Sequence, residues 1–484
     1  MLQLIGIPHE LLSSGEVEYI ALMKNKFANS LLLLAFGWIF ISATIDLDNL
    51  FNYANQDVPD YITHDNTDGN PIDDRTATLG RVLFYDKNLS KDGTIACASC
   101  HIQERAFGDP SVQSTGVNGV TGRHSMRLIN PRFSREAHFF WDERAETLEN
   151  QTSQPIQDPI EMGFSGTNGD PDFEDLINHL EGIDYYNTLF EFAFGDMEIT
   201  ENRMQLALAQ FIRSMQSFDS RFDEGLAQVD NFTLPFPNFT PQENMGKDLF
   251  INTPGTGAGC AGCHIPPEFS ITQNTQNNGV ITVAGMPGEI DLTNTRAPSL
   301  RDIVNPDGTL NSPLMHDGSF TSLIDVVNHY NSIPDNPENT SLDGRLTDAN
   351  GNPQQLNLSE EQKQNLVAFL GTLTGSDIYT NEKWSDPFEP DGSIKIIGGT
   401  LGISENDIPA FVTISPNPVV QNAIIETNLG HFKIWVYDHT GKLLLQQDSN
   451  AQTTLDFSSR TTGLYFVTII SENGIQITKR LLKV

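Results

Sequence analysis

A mainly α fold ending in a small all-β module is what this sequence predicts, and three observations carry the prediction. Segments of helical period recur between residues 76 and 373, with apolar residues near i, i+3 and i+4 spacing. Two copies of Cys-x-x-Cys-His stand well apart, Cys97-Ala98-Ser99-Cys100-His101 and Cys260-Ala261-Gly262-Cys263-His264, each preceded by a helical segment. From Phe411 onward the pattern switches to short strand-like runs separated by turns. A Cys-x-x-Cys-His motif is the attachment sequence of a c-type haem: two thiols form thioethers to the porphyrin and the histidine supplies an axial nitrogen. The expectation is therefore two c-type cytochrome domains in tandem, followed by an Ig-like sandwich.

The elements follow in order. Residues 31–41 form the longest apolar run, behind Lys24 and Lys26 and closing on Ser42 and Ala43. A charged lead, an apolar centre and a small-residue close mark a secretory signal peptide, and the run is shorter than the ~18 residues of a spanning helix. Residues 1–45 are thus read as an upstream extension and signal peptide, with Met23 as an internal start. Residues 76–85 have the spacing of a short helix leading to the first Cys-x-x-Cys-His motif. Helical signals follow at 172–180 and, most strongly, at 198–218, before Pro235, Pro237 and Pro241 break the chain. A first haem domain over 46–235 results.

The second domain, 236–375, repeats the plan: residues 243–250 precede the second motif much as 79–85 precede the first. Later helices are expected at 322–330 and 359–373, the latter opening on Ser359-Glu360-Glu361-Gln362, a capping box. Residues 376–407 are rich in Gly, Asp, Ser and Pro and read as a linker. Residues 408–484 hold the strand-like runs around Ile414, 424–427, 432–437, 442–446, 464–470 and 474–482, a small β-sandwich.

The two motifs use all four cysteines of the 484-residue chain. A zinc ribbon would gather four ligands within roughly 15–20 residues, and a redox dithiol would sit beside a strand–helix unit; neither context is present. Acidic residues outnumber basic ones 63 to 28, for a formal charge of −35. That balance disfavours nucleic acid and anionic membrane surfaces and suits a basic partner such as a small electron-donor cytochrome.

Between the motifs lie Phe139-Phe140-Trp141-Asp142-Glu143-Arg144-Ala145, then Gln151, then Gln154-Pro155-Ile156-Gln157-Asp158-Pro159-Ile160-Glu161-Met162-Gly163. Read alone, Glu161 in a Pro-flanked loop is a surface acid. The Trp, Gln and Glu spaced ten residues apart resemble the bacterial di-haem cytochrome c peroxidase family, including the MauG-type enzymes, over roughly residues 76–375. The resemblance implies a peroxidatic haem 1 on Cys97, Cys100 and His101 and an electron-transfer haem 2 on Cys260, Cys263 and His264. It implies Trp141 as relay between the haems, Gln151 orienting bound peroxide and Glu161 as acid–base catalyst. The distal histidine that blocks haem 1 in many members falls near Gly116, where none occurs, so the implied haem 1 is open without activation. His124 aligns with an Asn that helps hold an interdomain calcium in the family, and is read as a structural histidine. Calcium, through the carbonyls of Asn311 and Pro313, stays open, although imidazole suits that ion poorly.

For haem 2 the family's distal ligand aligns with Tyr330, as in MauG-type members, with His329 and Met315 as rivals and His316 as a pocket residue. His329 and Tyr330 point about 100° apart on a helix, so one of them faces the iron. The activity implied is reduction of hydrogen peroxide with electrons from a small cytochrome or other redox protein, haem 2 feeding haem 1. The alternatives are a MauG-like oxidase of a protein substrate and a non-catalytic surface electron-transfer cytochrome. The Trp before the second motif, used where an amine dehydrogenase is matured, is replaced by Ala258 and Gly259. A homodimer is a further family expectation.

At the end of the chain, Ser415-Pro416-Asn417-Pro418, Val436-Tyr437-Asp438, Gly463-Leu464-Tyr465-Phe466-Val467 and the closing Lys479-Arg480-Leu481-Leu482-Lys483-Val484 resemble the C-terminal sorting domain of the type IX secretion system. This implies that machinery as a partner and export to the periplasm, then the cell surface or the medium. A carbohydrate-binding or adhesive β-module is the competing reading.

Overall fold

The computed structural model describes residues 44–135, 138–270, 275–398, 412–427, 431–449, 453–471 and 476–484. The signal peptide expected within residues 1–43 lies outside the described residues. The chain divides into two compact units at residues 399 and 400.

The helices of the first unit are α1 Asp74–Tyr85, α2 Cys97–Cys100, α3 Leu148–Thr152, α4 Gln154–Gln157, α5 Phe173–Glu181, α6 Asp184–Phe194, α7 Glu201–Ser214, α8 Arg221–Leu226, α9 Pro241–Ile251, α10 Leu323–Asn331 and α11 Glu360–Leu370. They serve two apolar cores. One draws on residues 45–215 with Ile378, Tyr379 and Trp384; the other runs from Phe222 to Leu373, so it starts ahead of the junction expected at Pro235.

The internal repeat has a physical basis. In α1, a Cβ on Gly80 would stand 2.0 Å from the Ala207 carbonyl oxygen of α7; in α9, one on Gly246 would stand 1.9 Å from the Asn365 carbonyl oxygen of α11. Each pair of helices touches backbone to backbone at a glycine, which no larger residue allows. Four residues on, Phe84 and Phe250 are both buried, each on the wall of a cavity that holds one Cys-x-x-Cys-His motif. Asp73, Thr200, Thr240, Ser322 and Ser359 cap α1, α7, α9, α10 and α11 through their side chains, as N-terminal helix positions favour.

Short strands complete this unit: β1 Thr44–Asp46, β2 Thr115–Gly116, β3 Gly119–Val120, β4 Thr282–Val283, β5 Met286–Ile290 and β6 Lys395–Ile397. They bear on two expected boundaries. β1 pairs in parallel with β6, so Thr44 and Ile45 are part of the folded unit. The stretch expected as a linker from 376 is folded as far as Ile397: Trp384 is fully buried, and the Tyr53 and Tyr85 hydroxyls donate to the carbonyls of Lys383 and Trp384 at 2.6 Å each. Arg81 Nε donates to Ser385 O, also at 2.6 Å. The polar composition hid one large aromatic anchor and its ring of hydrogen bonds.

The second unit holds β7 Val412–Ser415, β8 Asn422–Thr427, β9 Phe432–Asp438, β10 Leu443–Ser449, β11 Thr453–Asp456, β12 Gly463–Ser471 and β13 Gln476–Lys483. Two antiparallel sheets, ordered β10-β9-β12-β13 and β11-β8-β7, share one core that includes Ile425, Phe432, Ile434, Val436, Val467, Ile469 and Leu481. In β9 the buried Phe432, Ile434 and Val436 alternate along the strand, the period of a half-buried strand. Among the described residues no helix is long and apolar enough to cross a membrane.

Candidate functional site

Each Cys-x-x-Cys-His motif lies on the wall of its own cavity. The first has about 650 Å³ of empty space and is lined by Cys97, Cys100, His101, Phe84, Gln151 and Glu161, among others. His101 Nδ1 sits 3.0 Å from the Phe107 carbonyl oxygen. A carbonyl only accepts, so Nδ1 carries the proton and Nε2 is the free basic nitrogen, the arrangement that prepares a metal ligand. Burial holds this imidazole below its usual range, so it is neutral. The four cysteines are unbridged, and burial pushes the thiols of Cys97 and Cys260 up to about 12. A reactive dithiol needs the opposite shift, whereas a pair of thiols beside a bare imidazole nitrogen on an apolar cavity fits covalent haem.

Gln151 reaches this cavity from α3 and Glu161 from the loop after α4. The Asp158 carboxylate accepts from the backbone N–H of Ile160 and Glu161 at 2.8 and 3.0 Å, fixing the turn. Burial first, and the Asp158 charge second, push the Glu161 carboxyl up to about 7, against the pull of Arg144. The β2–β3 hairpin closes over the loop: Val117 N donates to Glu161 O at 3.0 Å, and a Cβ on Gly116 would lie 2.1 Å from the Ile160 carbonyl oxygen and 2.8 Å from Glu161 Cα. The hairpin therefore packs on the Glu161 backbone only because residue 116 has no side chain. His101 is the only imidazole among the described residues lining this cavity.

The second cavity, about 1590 Å³ of empty space, is lined by Cys260, Cys263, His264, Met315, His316 and Tyr330, among others. Burial lowers His264 to about 4. Tyr330 and Met315 converge on one amide: Asn278 Nδ2 is 3.1 Å from Tyr330 Oη and 3.2 Å from Met315 Sδ. His329 is not on the wall; its Nε2 lies 2.8 Å from the Asn278 carbonyl oxygen and donates there. The structure separates the two neighbours that sequence left open. His316 is fixed by Thr282 O, 2.9 Å from Nε2, and by Asn294 Nδ2, 2.9 Å from Nδ1.

Trp141 lines both this cavity and a cleft shared with His101, Gln151 and Glu161. Its Nε1 donates to His124 O at 2.6 Å, its carbonyl accepts from Thr295 N and Arg296 N at 2.8 and 3.0 Å, and its ring centre is 6.3 Å from that of His316. Arg123 braces the cleft between Asp142 and Asp291, 2.8 Å from each. His124 is buried with Nδ1 held by the carbonyls of Ser111 and Val112 at 3.0 and 3.2 Å.

Sequence reasoning missed Asn278, which stands in a polar run with no motif, and Arg127, which lines both the second cavity and the cleft. Arg127 has a buried Nε with no partner and donates through Nη2 to Ser299 O at 2.9 Å. A buried guanidinium with an orphaned N–H matches the propionates that a haem brings. Calcium is a poor fit: His124 presents nitrogen to an ion that takes oxygen, and among the described residues no three carboxylates, imidazoles or thiolates gather as a metal site.

The chain is similar to known proteins in both of its units. Residues 74–231 match the family model for di-haem cytochrome c peroxidase, and residues 413–484 match that for a secretion system C-terminal sorting domain. The methylamine utilization protein MauG of Methylorubrum extorquens is 30% identical over 313 residues, covering 63% of this chain and 79% of the relative. The cytochrome c551 peroxidase of Nitrosomonas europaea is 28% identical over 368 residues, covering 73% and 93%. A solved MauG-like protein associated with microbial copper homeostasis superposes with a TM-score of 0.55 at 30% identity, over 69% of this chain and 99% of that one.

Proposed function

The chain belongs to the di-haem cytochrome c peroxidase and MauG family and ends in a type IX sorting domain, and from that premise we propose that it is an exported peroxidase. It reduces hydrogen peroxide to water with electrons from a small redox protein. The carrying observation is Glu161: a half-buried acid whose carboxyl is pushed up to about 7, on the same cavity as Cys97, Cys100 and His101, with Gly116 packed against its backbone where an imidazole would otherwise stand.

Haem, when bound, would supply redox-active iron. His101 would hold one iron through Nε2, and His264 would hold the other. The Gln151 amide orients peroxide in the cavity. The Glu161 carboxylate removes the proton from the inner peroxide oxygen and returns it to the outer one, so that water is the leaving group; an acid whose pKa lies near the working pH does both well. Trp141 would carry electrons across the cleft, and Tyr330 would be a ligand to the second haem iron. Arg127 would pair with haem propionates. Two electrons and two protons convert one peroxide to two waters.

A second reading, oxidation of a protein substrate as in MauG-type enzymes, is favoured by Tyr330 on the wall of the second cavity. Peroxide turnover by Glu161→Gln beside wild type, with electron paramagnetic resonance of both oxidised samples, tests the proposal. The expected result is a loss of a hundredfold or more, with a high-spin ferric signal in both. Equal turnover with two low-spin haems would move the protein to the electron-transfer reading.

A further inference from the structure

Asp86 ends α1, two residues beyond Phe84, whose ring lies 6.5 Å from that of His101. Its buried Oδ2 receives two phenols: Tyr186 Oη donates at 2.7 Å and Tyr185 Oη at 2.5 Å. The two rings are 4.7 Å apart between centres. Tyr186 is fully buried in the apolar core against which Cys97 packs. Tyr185 is half-buried and meets Asn88 Nδ2 at 3.2 Å. Asp86 already caps the next turn, its Oδ1 accepting from Asn88 N at 2.8 Å and from Asn88 Nδ2 at 2.9 Å.

Resting on the peroxidase reading above, we propose that Tyr186 and Tyr185 form a relay from haem 1 to the surface, and that Tyr185 is a second oxidation site for small phenolic one-electron reductants. Both phenols are held neutral, by burial first and by the Asp86 charge next, so neither ionises by itself. Removing an electron makes a phenol strongly acidic, and the proton then has a carboxylate waiting along an existing hydrogen bond. Tyr186 gives one electron to haem 1, left oxidised by peroxide, and its proton to Asp86 Oδ2. Tyr185 then gives an electron to the Tyr186 radical, which recovers its proton from Asp86, while Asp86 takes that of Tyr185. An external phenol gives an electron to the Tyr185 radical, Asp86 returns the proton, and the phenol's own proton leaves to solvent. One phenol is oxidised for each electron that haem 1 gains, with no passage through haem 2.

The test uses the holoprotein of wild type, Tyr186→Phe and Tyr185→Phe, with hydrogen peroxide as oxidant and guaiacol as reductant. Phe keeps the packing and removes the exchangeable proton. Samples frozen after one equivalent of peroxide should show a tyrosyl radical by electron paramagnetic resonance in wild type, reduced at least tenfold in Tyr186→Phe. Guaiacol oxidation should fall at least tenfold in both variants, while peroxide reduction fed by a donor at haem 2 stays within twofold. A radical of undiminished size in Tyr186→Phe, or unchanged guaiacol oxidation in both variants, overturns the relay and leaves the peroxidase reading intact. Failure of wild type to consume peroxide sinks both together.

Discussion

The acid limb of the peroxide-turnover profile should be set by Glu161 and should move with Asp158. Glu161 begins at 4.5 and is pushed to about 7, with burial the larger cause and Asp158 the second. A rise of that size corresponds to roughly 3 kcal/mol against the charged form. On the proposed mechanism the carboxylate is the form that accepts the peroxide proton, so turnover should be full above about pH 7 and fall as pH drops through that value. At pH 5 about 1% of the carboxyl is ionised and turnover should be down roughly a hundredfold. Asp158→Asn keeps the oxygen that accepts from Ile160 N and Glu161 N and removes only the charge. Because burial is the larger cause, the limb should shift downward by about one unit or less, for a gain of up to about tenfold at pH 5. The assay is the rate of donor oxidation at saturating peroxide between pH 4.5 and 8.5, for wild type, Asp158→Asn and Glu161→Gln. A wild-type profile flat from pH 5 to 8, or an acid limb in Asp158→Asn that stays in place or moves upward, would refute the reasoning.

Three further outcomes are expected. Tyr330→Phe should hand the second haem iron to Met315, which shares the Asn278 amide; a thioether-to-iron charge-transfer band should appear and the midpoint potential should rise, since a neutral ligand favours ferrous iron more than a phenolate does. An unchanged spectrum and potential would remove Tyr330 from the iron. Gly116→Ala should lower stability by roughly 1–3 kcal/mol and reduce peroxide turnover, because its Cβ meets the Ile160 and Glu161 backbone; thermal unfolding and the peroxide assay read the two effects, and no change in either would show that the hairpin yields freely. Arg301→Met should destabilise by roughly 3–5 kcal/mol, read as a lower denaturant midpoint, because it leaves Asp223, 5% exposed, without its fully buried partner at 2.8 Å; a midpoint within error of wild type would show that the site admits water.

What the sequence made legible was whatever local chemistry dictates. Helical period and capping residues gave α1, α5, α7, α9, α10 and α11 to within a few residues, and alternation gave the strands of the second unit, because both signals are written in neighbouring positions. The helix α6, Asp184–Phe194, was missed: Phe and Tyr crowd its length and blur the stripe. The folded stretch ending in Trp384 was missed because its partners, Tyr53, Arg81 and Tyr85, lie some three hundred residues away in sequence.

The second haem pocket shows where this limit becomes functional. His329 and Tyr330 are adjacent, each a competent iron ligand, and helical geometry says only that one of them turns away. Asn278 engages both. Its carbonyl takes His329 Nε2 at 2.8 Å and its side-chain amide stands 3.1 Å from Tyr330 Oη. The imidazole is thereby spent on backbone while the phenol is left facing the cavity, beside the Met315 sulfur. If Tyr330 is the ligand there, the choice rests on a residue about fifty positions upstream, with no motif of its own. Replacing Asn278 by Ala should therefore loosen the choice among His329, Tyr330 and Met315, giving mixed low-spin ferric signals for the second haem where wild type gives one. A single unaltered signal would mean that the α10 helix alone sets the ligand.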